Sequence, residues 1–388
     1  MEQKKKSTII TICGDICPTQ DTEPYFKSGD HKKLFGNCIP FFNSSGLLMG
    51  NLEFPIIDNG KGIVKSGPVL KGDDNYIDIF KKSGFHVLGL ANNHIKDCGE
   101  EGVKNTMAVC TQNGISYVGA GENISKAKIP LIREVNGKKI GILAFAEQEF
   151  NIATEDEYGA NYLDVYDDFD AIRGFKNEVD YLIILYHGGI EYYEYPSPLL
   201  QKRCRKMIDS GADLVTCQHS HCIGTTEKYH SGNIVYGQGN TLFGYRKGSE
   251  SWNEGLLLQI TLPEEKSISS QLDFIPVVAN VTGVELMAEK KAKERLEKFF
   301  DQSLMIADKE FIKKSWLEFC NKKKTLYMPF IFGFNRILIH SNRILKNEIV
   351  KGLFSKQKLR VVTNLIRCES HKEVLDTIFQ NEIKTKKS

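Results

Sequence analysis

The sequence predicts an α/β fold with a helical extension at its C-terminal end. Up to about residue 280, apolar runs of strand length alternate with helix-like spacing, and the punctuation between them is mostly Gly, Asn, Asp and Pro. After about residue 285 strand-like runs become sparse, and lysine-rich helical periodicity takes over in ELMAEKKAKERLEKFF, EFIKKSWLEFCNKKK and SHKEVLDTIFQNEIK. The expected organisation is therefore a body over residues 1–285 and a helical, partly basic extension over 286–388. At 388 residues and 41% hydrophobic content the chain can fill a sizeable core.

Strands are expected at 8–13, 46–52, 86–90, 140–145, 181–186, 214–217, 234–236 and 256–262. Several are continuous apolar runs, as strands covered on both faces should be. Helical spacing at 75–82, 99–113 and 198–210 ends near Gly84, Gly114 and Gly211, residues that tolerate the positive φ of a helix C-cap. Asn136 and Gly137 separate two strand-like runs and predict a hairpin.

Lysine plus arginine is 51 and aspartate plus glutamate 49, so a net charge of +2 excludes a surface built throughout for nucleic acid, and no specific nucleic-acid partner is expected. The ten cysteines form no small-domain framework, and MEQKKKSTIITICGD has too short an apolar run for a signal peptide. A reducing, cytoplasmic setting is the expectation. The most apolar stretch, LYMPFIFGFNRILI, is interrupted by Pro329, Gly333 and Arg336, so peripheral membrane contact is the most that is expected.

Ligands of α/β sheets gather beyond the carboxyl ends of strands. There this sequence places Asp15 after the first strand, Glu53 after the second and Asn93 with His94 after the third. His187 and Glu191 follow YLIILY, His219 and His221 follow LVTCQ, and Asn240 follows IVYGQG. Carboxylate, imidazole and amide oxygen together suit Mn, Fe or Zn, and such a set can hold one or two divalent ions for hydrolysis or group transfer. His219 and His221, two residues apart, face one side if the strand continues through them. Any one of these residues alone reads as a cap, a turn or a hydrogen-bonded surface group; the recurrence at strand ends is what points to a site. His31, His86, His230, His340 and His371 lack that placement. Cys217 and Cys222 in CQHSHC have no second pair at zinc-site spacing and read as part of a strand and its exit, and Cys13 and Cys17 as core.

Taken in order, GD at Asp15, NLEFP, GLANNHIKDCGEEG, ILYHGGIEY, IDSGADLVTCQHSH and NIVYGQGNTLF resemble the CapA family of bacterial capsule and poly-gamma-glutamate biosynthesis proteins, over roughly residues 7–280. The resemblance implies a calcineurin-like metallophosphoesterase fold, a four-layer αββα sandwich with a metal site at one edge. It implies Asp15, Glu53, Asn93, His187, His219 and His221 as metal ligands, and His94 as the catalytic residue that protonates a leaving group or stabilises developing charge. Glu191 and Asn240 are implied as orienting or substrate-contacting residues. This chain has Cys17 where the broader pattern has a histidine, Asn51-Leu52-Glu53 for Gly-Asp, Gly188 for an aromatic residue and Gln218 for a glycine.

The implied function is that of a metal-dependent hydrolase or transferase of capsule biosynthesis, acting on an anionic polymer or phosphoester beside a capsule synthesis machinery. The alternatives are a metal-binding assembly factor without turnover and a cytoplasmic phosphoesterase unrelated to capsule. In the extension, FNRILIHSNRILKNEIVKGLFSKQKLRVVTNLIR interleaves apolar and basic residues. That pattern fits a helix face covered by the body or a partner subunit, or one in contact with a membrane or an anionic polymer.

Overall fold

The structure, a computed structural model, describes residues 7–264, 270–331, 333–345, 348–353 and 355–385. Two large sheets form the body, beside a two-stranded one of Ala120–Gly121 and Gly159–Ala160. The first has eight strands, seven of them in the order Val284–Leu286, Gln271–Ala279, Glu254–Leu262, Thr8–Ile16, Leu47–Leu52, Val87–Gly89 and Ser116–Val118, while Asn240–Leu242 pairs alongside Thr8–Ile16. The second runs Thr226–Tyr229, Gly232–Val235, Leu214–Gln218, Tyr181–His187, Lys138–Ala146 and Leu131–Val135. The centres of both sheets are parallel and buried, which is why their sequences are continuous apolar runs.

Alternation along the strands sorts side chains into layers. Tyr181, Ile183 and Leu185 join the main core between the sheets, whereas Leu182, Ile184 and Tyr186 face a second cluster with Ile172, Leu200, Met207 and Ile208 from the helices Asp168–Lys176 and Pro198–Asp209. On the outer side of the first sheet, Phe35, Phe42, Phe80 and Phe85 pack edge-on or tilted against one another, with centroids 5.3–5.9 Å apart, and seat three short helices. The result is the helix–sheet–sheet–helix order expected. Between the sheets, a Cβ at Gly89 would stand 3.3 Å from Leu185 of the opposite sheet.

Each of the eight expected strands is present, and the three expected helices are Ile77–Lys82, Gly99–Gln112 and Pro198–Asp209. Gly84, Gly114 and Gly211 follow them at φ of 80°, 72° and 113°. The hairpin turn lies at Asn136 and Gly137, both at positive φ, joining antiparallel strands. Gln271–Ala279 was not expected: its apolar side is short and Pro276 breaks the pattern, yet it completes an antiparallel flank against Glu254–Leu262.

Two compact units make up the chain, Met1–Trp316 and Leu317–Ser388. The change in sequence character near residue 285 marks the end of the strand-rich part, but the first compact unit continues to Trp316. It includes the helix Glu289–Met305, whose Phe299 is fully buried in the main core and whose Arg295 donates to Glu254 at 2.9 Å. The second unit is helical over Arg336–Ile344, Glu348–Leu353, Lys356–Arg367 and Glu369–Thr385. Within the basic stretch, Lys346, Asn347 and Phe354 lie outside the described residues. Among the described residues no helix is long and apolar enough to cross a membrane.

Candidate metal centre

Asp15 and Asn51 sit opposite each other at the ends of adjacent parallel strands of the first sheet, and Gln218 sits opposite His187 at the ends of two strands of the second. These strand ends meet at one edge of the sandwich. Two groups of side chains there have ligand atoms within 4.8 Å of one another: Glu53, His187 and His219, and Asp15, Glu53 and His221. Glu53 belongs to both. All five residues are buried, and among the described residues these are the groups of this kind.

Hydrogen bonds fix much of the geometry. Asn51 Nδ2 donates to Asp15 Oδ1 at 2.8 Å, and the backbone N–H of His219 donates to Asp15 Oδ2 at 3.0 Å. His187 Nε2 lies 3.0 Å from Asn93 Oδ1 and 3.6 Å from Glu53 Oε1, which puts Asn93 at the same centre. His221 Nδ1 lies 2.8 Å from Asn240 Oδ1, so Nδ1 donates there and Nε2, 3.9 Å from Glu53 Oε1, is the nitrogen left available to a cation. Asn240 in turn donates to the Trp252 carbonyl at 2.9 Å. Glu191 is half-buried, and its charge reaches Glu53.

His219 and His221 arrive at the centre by a route other than continued strand geometry. Their strand ends at Gln218, and both residues take positive φ, 90° and 51°, conformations that cost energy for a side-chain-bearing residue. The bent backbone separates the rings by 6.2 Å, so each joins a different group.

Electrostatically the centre is prepared for cations. Burial pushes the His187 imidazole well below its ordinary pKa, the His219 imidazole down to about 3 and the His221 imidazole down, which favours the neutral imidazole that a cation needs. Burial, then the neighbouring Asp15 charge, raises the Glu53 carboxyl well above the usual carboxylate range, and burial raises Asp15. Both Glu53 oxygens and His219 Nδ1 are buried without a hydrogen-bond partner. Unsatisfied acceptors of this kind at one point are costly unless something positive meets them. The donor set therefore fits one or two divalent cations.

His94 stands beside this centre, its influence felt by His187, His219 and His221. Its Nδ1 is 2.7 Å from Asp97 Oδ2, and the Lys65 ammonium, whose side chain is 2% exposed, pairs with the other Asp97 oxygen. Asn92 holds the turn, accepting from the His94 N–H at 3.1 Å and donating to Asn51 Oδ1 at 3.1 Å. Sequence reasoning missed Asn51, Lys65, Asn92 and Asp97. Asp97, three residues past His94 in the same turn, carried a readable signal; Lys65, on an irregular segment distant in sequence, carried none. At the rim Arg246 lies over the Trp252 ring and donates to the Tyr192 hydroxyl at 3.2 Å, and Trp252 packs 4.7 Å from His221.

The remaining residues keep structural roles. His86 Nδ1 accepts from the Leu48 N–H at 2.9 Å. Cys217 is buried in its strand 3.6 Å from Cys204, Cys222 is buried at the exit, and Cys13 is core. Cys17 turns its thiol to the Pro18 carbonyl at 3.3 Å, and no cysteine joins either ligand group.

Residues 9–245 match the sequence profile of the bacterial capsule synthesis protein family PGA_cap. The chain is similar to the capsule biosynthesis protein CapA of Bacillus anthracis, 28% identical over 71% of this chain and 68% of that one. It is also similar to the PGA biosynthesis protein CapA of Bacillus subtilis, 29% identical over 60% of this chain and 62% of that one, so it spans only about two thirds of these relatives' length. Among solved structures, a 5'-nucleotidase precursor from Thermus thermophilus aligns over 76% of this chain and 58% of that one at 12% identity and a TM-score of 0.40. With a profile match running from the first strand to past Asn240, the chain belongs to the bacterial capsule synthesis protein family PGA_cap.

Proposed function

We propose that the chain acts in bacterial capsule or poly-gamma-glutamate biosynthesis as a metal-dependent hydrolase or transferase, on a phosphoester or a γ-glutamyl polymer bond. The observation that carries this reading is Glu53, shared by both ligand groups with both carboxylate oxygens buried and partnerless. Asp15, Glu53, Asn93, His187, His219 and His221 would hold one or two ions of Mn, Fe or Zn. Bound there, the ions supply Lewis acidity against the charge that develops on the substrate.

The chain's own residues do the rest. Asp97 accepts a hydrogen bond from His94 Nδ1, which leaves Nε2 to face the departing oxygen or nitrogen. Arg246 at the rim offers a cation to an anionic substrate, supported by its hydrogen bond to Tyr192 and its seat on Trp252. The relatives named for capsule and PGA biosynthesis support the pathway. The ten free cysteines agree with a cytoplasmic setting.

The test is metal analysis of the purified protein together with turnover of an activated phosphodiester and of a γ-glutamyl polymer by the wild type and His187→Ala. Bound metal and turnover lost in the variant support the reading. Bound metal with no turnover of either substrate favours a non-catalytic assembly factor, a reading supported by Cys17, whose thiol points to a carbonyl where the broader pattern has an imidazole ligand.

A further inference from the structure

The unit Leu317–Ser388 lies beyond the family match and holds none of the metal-centre residues. Its charge sets it apart. It contains 15 Lys and Arg against 6 Asp and Glu, a net +9, whereas Met1–Trp316 contains 36 against 43, a net −7. The near-neutral total of +2 conceals this polarity.

Its last two helices carry six Lys and Arg against four Asp and Glu, the acids all on Glu369–Thr385, so the basic charge of Lys356–Arg367 sits beside uncovered apolar surface. In Lys356–Arg367, the 3.6-residue period gathers Lys356, Arg360 and Arg367 on one side and Leu359, Val362, Leu365 and Ile366 on the other. Glu369–Thr385 packs against this helix, yet Val361, Ile366, Val374, Ile378 and Phe379 remain 55%, 56%, 56%, 49% and 58% exposed. Apolar side chains left open in this number, beside the four cations of Lys356–Arg367, mark an interaction surface.

We propose that this helix pair docks on an anionic lipid bilayer, its lysines and arginines drawn to the headgroups and its apolar side chains entering the headgroup–acyl boundary. Charge complementarity selects an anionic partner, and the open apolar side chains select lipid among anionic partners. An acidic polymer would neutralise the cations but leave Ile378 and Phe379 in water. A second copy would bring two units of +9 together. A bilayer satisfies both features at once, with Lys358, on the apolar side of its helix, reaching its ammonium back to the headgroups.

The experiment is co-sedimentation of the full chain with phosphatidylglycerol–phosphatidylcholine vesicles and with pure phosphatidylcholine vesicles. Binding is expected to the anionic vesicles alone and to weaken as salt rises from about 0.1 M toward 1 M, where screening shortens the reach of the charges. Ile378→Asp with Phe379→Asp, and separately Lys356→Glu with Arg360→Glu, should each lower the vesicle partition coefficient by about tenfold or more. Because the aspartates could unfold the helix pair, Phe379→Trp gives a second reading: its fluorescence should shift to the blue on anionic vesicles. No binding to anionic vesicles, binding untouched by both double variants, or no shift at position 379 overturns the proposal. So does binding to an acidic polymer without binding to vesicles, or self-association abolished by Phe379→Asp.

Discussion

Asn240 Oδ1 lies 2.8 Å from His221 Nδ1 and fixes which nitrogen of that imidazole faces Glu53. An orienting hydrogen bond of this kind governs metal affinity without touching the metal. Asn240→Ala is expected to weaken cation binding by about 10- to 100-fold, measured by titration against a competing chelator, while Asn240→Asp retains most of it. Equal affinity in Asn240→Ala and wild type would show that His221 is oriented by other means. Gly255 belongs to the same support, since a Cβ there would run into the Asn240 carbonyl. Gly255→Ala should therefore reproduce the loss.

Glu53 makes the metal-free protein pH-sensitive. Its folded pKa is raised above the unfolded value, so its contribution is fully present below the unfolded pKa and is lost as pH rises through the folded one. Removing the charge removes that loss. Glu53→Gln should stabilise the metal-free protein by about 1–3 kcal/mol at pH 8 and by nothing at pH 4, read from urea unfolding with chelator present. The same substitution should abolish tight metal binding. A variant less stable than wild type at pH 8 would contradict the raised carboxyl.

Metal binding must expel the proton that this carboxyl holds. Calorimetric titration in buffers of different ionisation enthalpy should therefore show proton release, and affinity should climb with pH well beyond the ordinary carboxylate range. The depressed histidines act in the other direction: each folded pKa lies below the unfolded one, so their stability is present above about pH 6.5 and is lost as pH falls toward the folded values, about 3 for His219. Chelation should lower the melting temperature more at pH 7.5 than at pH 5.5.

Lys65 and Asp97 pair with side chains 2% and 1% exposed. Breaking such a pair leaves a buried charge unmatched, so Lys65→Met is expected to cost about 3–5 kcal/mol, measured by denaturant unfolding. Lys65→Met with Asp97→Leu should cost less than the two single changes together. Additive costs would mean that the pair does not act as a unit.

The sequence showed the architecture where burial is two-sided. Runs such as YLIILYH and TIITICGD carry their strand assignment in composition, and Gly84, Gly114 and Gly211 mark helix ends because few other residues accept their φ. The antiparallel strand Gln271–Ala279, half-exposed and containing Pro276, carried no such mark. At the centre, strand ends named all six proposed ligands, because a parallel sheet aims its carboxyl ends at one edge. Lys65 and Asn51 were invisible for the opposite reason: they act through contacts that only the folded chain creates. The route by which His219 and His221 reach the centre was not legible, since residue spacing says nothing of a backbone that leaves the strand at positive φ.

Asp15 and Glu53 come from the end of one sheet, and His187, His219 and His221 from the end of the other. Whatever fills the space between them rivets the two layers together at that rim. Sliding of one layer past the other would pull the rivet apart, so any ions bound there would set how far the halves of the sandwich can slip. Loading them should slow amide exchange in strands on both sides, well away from any ligand.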